Sequence, residues 1–187
     1  VGEGHRAGQA GVATVEEFLA RLQKRFGIAD AHRHQARVPA NLERPVGTQL
    51  MGRRTYEVMT YWETAPTEGD DPEADFARIW AGVDKVVYSS TLTEVTAPRT
   101  RLERTFDADA VRTLVEAAPH DVEIGGPTLA AEAWRAGLVD EVRLFLVPAV
   151  VGGGLAALPD GVRHTLTLLE QRPFDEGFVL LRYAVQH

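Results

Sequence analysis

Two glycine motifs set far apart constrain this chain more than any other feature. Leu50-Met51-Gly52-Arg53-Arg54-Thr55-Tyr56-Glu57 reads as a buried strand, a glycine turn and a helix start. Val122-Glu123-Ile124-Gly125-Gly126-Pro127-Thr128-Leu129 reads the same way. A helix start exposes backbone N–H groups with no partner and carries a partial positive charge, so it attracts phosphate. Two such starts brought side by side would hold the two phosphates of a dinucleotide. Arg53 and Arg54 supply charge for a further phosphate.

The segments between these motifs alternate. Thr48 to Met51 reads as a strand, Arg53 to Thr60 as a helix, and 64–72 as a polar loop. Phe76, Ile79, Trp80 and Val83 repeat at helical spacing. Lys85-Val86-Val87-Tyr88 is a buried strand running into Ser89-Ser90-Thr91, and Leu102 to Phe106 is a short strand. Asp107 caps a helix carrying Val111, Leu114 and Val115, stopped by Pro119. After Val122 to Ile124 comes a helix over Thr128 to Ala136, ended by Gly137. Val142 to Val151 is an apolar strand run broken by Pro148. Gly152-Gly153-Gly154 is a hairpin-type turn, and Thr165 to Leu169 and Phe178 to Val185 are two final strands.

That order predicts an α/β fold: a mostly parallel central sheet flanked by helices, with an antiparallel C-terminal hairpin. Ligands of parallel α/β sheets bind at the carboxyl ends of the strands. The motifs at Gly52 to Thr55, Ser89 to Thr91 and Gly125 to Leu129 all fall there.

Upstream, residues 1–13 are rich in Gly and Ala. Thr14, with Glu17 three residues on, reads as the cap of an amphipathic helix bearing Val15, Phe18, Leu19, Leu22 and Phe26. The chain accordingly divides into an extension over 1–29 and a nucleotide-binding domain over 30–187, with a short helix expected in 30–45.

Composition narrows the function classes. A net charge of −7 weighs against a nucleic-acid scaffold, which needs a basic face. Cysteine is absent, so disulfides and thiolate chemistry are excluded. No apolar run approaches the roughly 20 residues of a membrane span, and no signal pattern is present, so a cytoplasmic location is expected. His32 and His34 have no third ligand nearby, and no metal site is expected. Tyr56, Trp62 and Trp80 read as core, and Asp140-Glu141 as a solvated strand start. No serine stands in a nucleophile elbow.

In this order, four segments resemble the dihydrofolate reductase-like superfamily. They are the Gly52 motif, Lys85 to Ser90, the Gly125 motif, and Ala136 to Glu141 followed by Pro148 to Gly154. The nearer likeness is to its branch containing the C-terminal reductase domain of bacterial riboflavin biosynthesis. The resemblance implies NADPH as cofactor, with Arg53 facing the 2′-phosphate and Thr55 the pyrophosphate. It implies Ser89, Ser90 and Thr91 beside the adenosine, and Gly125, Gly126, Pro127, Thr128 and Leu129 under the pyrophosphate, often through a cis peptide.

The same resemblance implies hydride transfer to a small heterocycle, such as dihydrofolate or 5-amino-6-(5-phosphoribosylamino)uracil. A homodimer is expected, and charge and hydropathy weigh against nucleic-acid and membrane partners. The family's apolar first strand and Leu-Asp-Gly-like turn have no counterpart here. The alternative function is therefore a non-catalytic nucleotide-binding or dimerisation protein on the same scaffold, with a sheet position left open. No catalytic residue stands out; Asp30, His32 and Glu57 are the nominees for proton donor.

Overall fold

The computed structural model describes residues 40–150, 152–174 and 177–187. The helix expected over residues 14–26, and the nominees Asp30 and His32, lie outside the described residues.

Short helix α1 (Ala40–Glu43) leads into strand β1 (Val46–Gly52) and helix α2 (Arg53–Met59), which tightens into a 3₁₀ turn at Thr60–Glu63. Helix α3 (Pro72–Gly82) starts where Asp71 accepts from the backbone N–H groups of Glu73 and Ala74, both at 3.0 Å, with Pro72 at its first position. Strands β2 (Asp84–Tyr88) and β3 (Thr100–Glu103) follow. Helix α4 (Ala108–Ala117) is capped by Asp107 as its sequence predicts. Then come strand β4 (Asp121–Gly125), helix α5 (Pro127–Arg135), and strands β5 (Glu141–Leu146), β6 (Thr165–Pro173) and β7 (Val179–Gln186).

Four strands form a parallel sheet in the order β3-β2-β1-β4. The central strands are apolar on both faces, and alternate residues feed opposite cores. Met51 and Val87 join Tyr56, Met59, Trp62, Phe76, Ala77 and Trp80 on one side. Leu50 and Val86 join Val111, with Val122, Ile124, Leu129 and Leu138 packed around them, on the other. The β2–β3 connection carries no helix. Its backbone is tied instead by the Tyr56 hydroxyl, which accepts from the N–H groups of Thr96 and Ala97.

The antiparallel hairpin is present as β6–β7, and β5 pairs on the other side of β7 to make a separate three-stranded sheet, β5-β7-β6. Arg182 on β7 stitches all three strands. It donates to both carboxylate oxygens of Glu141 on β5 and to Glu170 on β6. Glu141 is therefore not the solvated residue its sequence position suggests. The apolar run from Val142 leaves the strand at Leu146, two residues before Pro148, which has no N–H to pair.

Among the described residues β4 pairs only with β1, and β5 only with β7. Their other edges border one cavity of about 740 Å³.

Candidate functional site

The three sequence motifs meet at the carboxyl end of the parallel sheet. Register explains why: β1 lies between β2 and β4, with Gly52 opposite Tyr88 and Met51 opposite Gly125. The turns leaving the three strands therefore emerge side by side.

Two contacts join them. Arg53 at the start of α2 donates through Nη1 to Thr91 Oγ1 at 3.3 Å. Thr55, two residues on, lies over the glycine pair. A Cβ built on Gly126 would stand 2.7 Å from Thr55 Oγ1, and one on Gly125 would stand 3.8 Å from Thr55 Cγ2. Gly126 also has φ +90°, a conformation other residues rarely adopt. Close approach and backbone angle both demand glycine at that position.

The residues suit a doubly phosphorylated ligand. Neither α2 nor α5 has a side-chain cap, so the first N–H groups of both helices are without side-chain acceptors. In front of Gly52 a Cβ would meet no heavy atom within 4 Å, so a ligand has room to approach the backbone. Arg54 is exposed and makes no hydrogen bond or ion pair among the described residues. Arg53 keeps one weak surface pair, to Glu57 at 3.4 Å.

Not every motif residue faces outward. Ser89 is buried, and its hydroxyl accepts from the N–H groups of Thr91 and Leu92, closing the turn after β2. Ser90 is exposed. Pro127 sits at the first position of α5, and Thr128 is exposed beside it. Leu129 packs into the core on the Leu50 side. The cis peptide that the resemblance implies is not found; every described peptide bond is trans.

The 740 Å³ cavity touches only the third motif. Gly125, Gly126 and Pro127 form part of its wall, β4, β5 and their approaches most of the rest, with Val46, Val115, Trp134 and Leu158 closing it. Its polar wall holds residues that the sequence reading passed over. Glu123 on β4 accepts from Gln49 Nε2 on β1 at 2.8 Å. Glu43 on α1 shares a side-chain hydrogen bond with it. Arg143 on β5 donates to the Leu42 carbonyl at 3.0 Å and to Glu141 at 2.9 Å, with Asp121 at 3.9 Å.

Two carboxyls in a hydrogen bond need a proton on one of them. Burial pushes the Glu123 pKa up to about 8, and the charge of Glu43 adds to the rise, while Arg143 and Gln49 oppose it. Burial also raises Glu43. The sequence did carry a signal: an acid between Val122 and Ile124, in an apolar strand just ahead of a glycine pair. The nominee Glu57 stands instead on the exposed side of α2, paired with Arg53.

The stability consequence has a definite sign. A carboxyl whose folded pKa is raised to about 8 holds its proton in the folded state over a range where the unfolded chain, near the model value of 4.5, has lost it. Its stabilising contribution is complete below 4.5 and is lost as pH rises through 8. Thermal melts of the Glu123→Gln variant should therefore show a flatter decline from pH 5 to 8 than the parent. Parallel curves for the two proteins would refute the shared-proton pair.

Among the described residues, no group of three or more potential metal ligands is found and no helix is long and apolar enough to cross a membrane.

Residues 30–180 match the family model described as the RibD C-terminal domain. No curated protein matches the chain. A solved structure of a protein assigned to riboflavin biosynthesis from Shewanella sp. PV-4 is similar, with a TM-score of 0.61 at 17% identity, over 86% of this chain and 82% of that one. RibD of Acinetobacter baumannii, form 1, is similar with a TM-score of 0.55 at 16% identity. That likeness covers 86% of this chain but 52% of RibD, so the chain spans about half the length of that protein. At such identities the structures speak for the fold.

Proposed function

Because the chain belongs to the RibD C-terminal domain family, we propose that it is an NADPH-dependent reductase of a small heterocycle, with dihydrofolate and 5-amino-6-(5-phosphoribosylamino)uracil as the first substrates to try. The observation that carries this reading is the junction of three loops, in which Thr55 lies over Gly126 and Arg53 reaches Thr91. The backbone N–H groups of residues 52 to 55 and of Gly125, Gly126 and Thr128 would hold the pyrophosphate. Arg53 and Arg54 would meet the 2′-phosphate, where a planar guanidinium gives paired hydrogen bonds. Bound there, NADPH supplies hydride to a C=N or C=O carbon of the substrate. The protein's share is to fix the nucleotide, shape the neighbouring cavity and provide a proton.

A ligand that binds the native state alone raises its melting temperature. NADPH should stabilise the protein more than NADH at equal concentration, because only NADPH carries the 2′-phosphate. Arg53→Ala should remove most of that preference, a loss of about 1.5–3 kcal/mol for a charge-assisted bond. Equal stabilisation by the two nucleotides would refute the 2′-phosphate assignment.

A second reading, a nucleotide binder without turnover, is favoured by the break between β4 and β5, which no strand bridges among the described residues. NADPH binding without oxidation in the presence of either heterocycle would select it.

A further inference from the structure

We propose that Glu123, paired with Glu43, is the proton donor of this site and delivers its proton into the cavity between β4 and β5. The assignment rests on the reductase reading above and supplies the group that the reading lacked.

Position is the first argument. Glu123 precedes Gly125 by two residues on one strand, so their Cα atoms are about 6.5–7 Å apart and on the same face of the sheet. Both residues line the same cavity, together with Gly126 and Pro127. A ring stacked beside the glycine turn would then lie within one small molecule's length of the Glu123 carboxyl. No other carboxyl in the cavity wall combines this depth with a place on β4. Asp140 is exposed and bonds to His187, and Glu141 is held by Arg143 and Arg182. Asp121 lies at the opposite end of β4 and is exposed.

The hydrogen-bond set is the second argument. The Gln49 amide fixes one Glu123 oxygen, Oε2, at 2.8 Å. Glu43 beside it disfavours a second negative charge and so favours the protonated form. Arg143 faces the pair from β5, where it is itself held by Glu141 and the Leu42 carbonyl. The groups facing Glu123 are thus Glu43 from α1, Gln49 from β1 and Arg143 from β5. Burial and the neighbouring Glu43 charge favour the protonated form of Glu123, against the opposing pull of Arg143 and Gln49. A general acid works best when its pKa lies near the working pH, and the raised value of about 8 for Glu123 meets that condition.

The step balances. Hydride from NADPH adds to the carbon of a C=N or C=O bond, breaking the π bond. The electron pair moves to nitrogen or oxygen, which takes the proton from Glu123. NADP⁺, the reduced substrate and a Glu123 carboxylate result. Water entering the cavity restores the proton before the next turn.

The test uses the full chain in the parent and Glu123→Gln forms, with NADPH and 5-amino-6-(5-phosphoribosylamino)uracil as the probes. Without substrate, difference infrared spectra at pH 7 should show the C=O stretch of a protonated carboxylic acid in the parent and its loss in Glu123→Gln. NADPH should raise the melting temperature of both forms equally. Single-turnover hydride transfer should fall about 100-fold or more in the variant. The parent rate should be level below pH 8 and decline above it, and the variant should lack that limb.

No carboxylic-acid band in the parent, or a variant rate within threefold of the parent with the same pH profile, would overturn the assignment. A variant that no longer responds to NADPH would also overturn it, by making Glu123 part of nucleotide binding or folding. If the parent binds NADPH and shows the infrared band but does not transfer hydride, the reductase reading falls and takes the donor role with it. Hydride transfer without the band overturns the donor alone and leaves the reductase reading standing.

Discussion

Replacing Trp80 by alanine is expected to lower stability by about 3–5 kcal/mol, the range for removing a large buried aromatic side chain. Trp80 is 1% exposed and stands on α3 among Phe76, Trp62, Met59 and Val87. It also organises the one lysine buried in the described core. Its indole N–H donates to Glu63 Oε1 at 2.6 Å, and Lys85 Nζ lies 4.7 Å from its ring centroid. Lys85 reaches the same Glu63 oxygen at 3.5 Å and the Pro98 carbonyl at 3.4 Å. Burial pulls the Lys85 pKa below its ordinary value, and Glu63 partly restores it.

Alanine at position 80 opens a cavity and strips the ring from beside a buried ammonium at the same time. For a chain of this size each kcal/mol corresponds to about 2–4 °C, so the melting temperature should drop by roughly 10 °C. Trp80→Phe keeps most of the apolar contact and loses only the N–H, so its cost should be nearer 1–2 kcal/mol. Thermal unfolding followed by circular dichroism separates the two. A Trp80→Ala protein melting within 2 °C of the parent would show that the α3 core contributes little.

Gly126→Ala should have the largest effect on nucleotide binding. Two costs coincide there. A side chain at φ +90° is strained by about 1–2 kcal/mol, and its Cβ would press within 2.7 Å of Thr55 Oγ1. The Thr55 side chain or the turn must shift, parting the loops that are proposed to hold the pyrophosphate. A loss of roughly 2–3 kcal/mol in stability and at least tenfold in NADPH affinity is expected, since each 1.4 kcal/mol of binding is tenfold. Gly125→Ala is the matched control, because its nearest neighbour would be an ordinary 3.8 Å contact and its φ is not positive. Adding Thr55→Ala to Gly126→Ala should recover the part due to crowding and leave the part due to backbone strain. An NADPH affinity unchanged from the parent in the Gly126 variant would break the argument for a built phosphate cradle.

Where burial and turn chemistry act locally, the sequence was sufficient. Asp107 caps a helix, and the β2 run Lys85 to Tyr88 is a central strand at the positions its apolar residues require, whereas the Asp71 cap, legible in the sequence only as part of a polar loop, came from the structure. The Gly52 and Gly125 turns lie where a strand gives way to a helix, as their glycines imply. The resemblance drawn from those turns named the correct family. The Ser89 motif was legible only as polar. That its hydroxyl closes a turn depends on the backbone angle leaving β2.

The catalytic candidate was the least legible part, for a physical reason. Burial and Glu43 raise the Glu123 pKa while Gln49 and Arg143 oppose the rise, so the groups that set it lie on three other elements. The Gln49 contact spans 74 positions in sequence, and the Leu42–Arg143 contact that seats the arginine spans 101. No local pattern encodes such meetings.

The amino-acid order alone settled which segments become strands, which become helices, and where a backbone could come close to phosphate, because solvent and dihedral preferences act on neighbours. Chain folding in three dimensions decided that β1 lies between β2 and β4, that Thr55 rests on Gly126, and that Glu123, raised in pKa by burial and by Glu43, lines a cavity bordered by two sheets. Those outcomes depend on strand register and on desolvation by distant residues, and both exist only once the sheets have assembled.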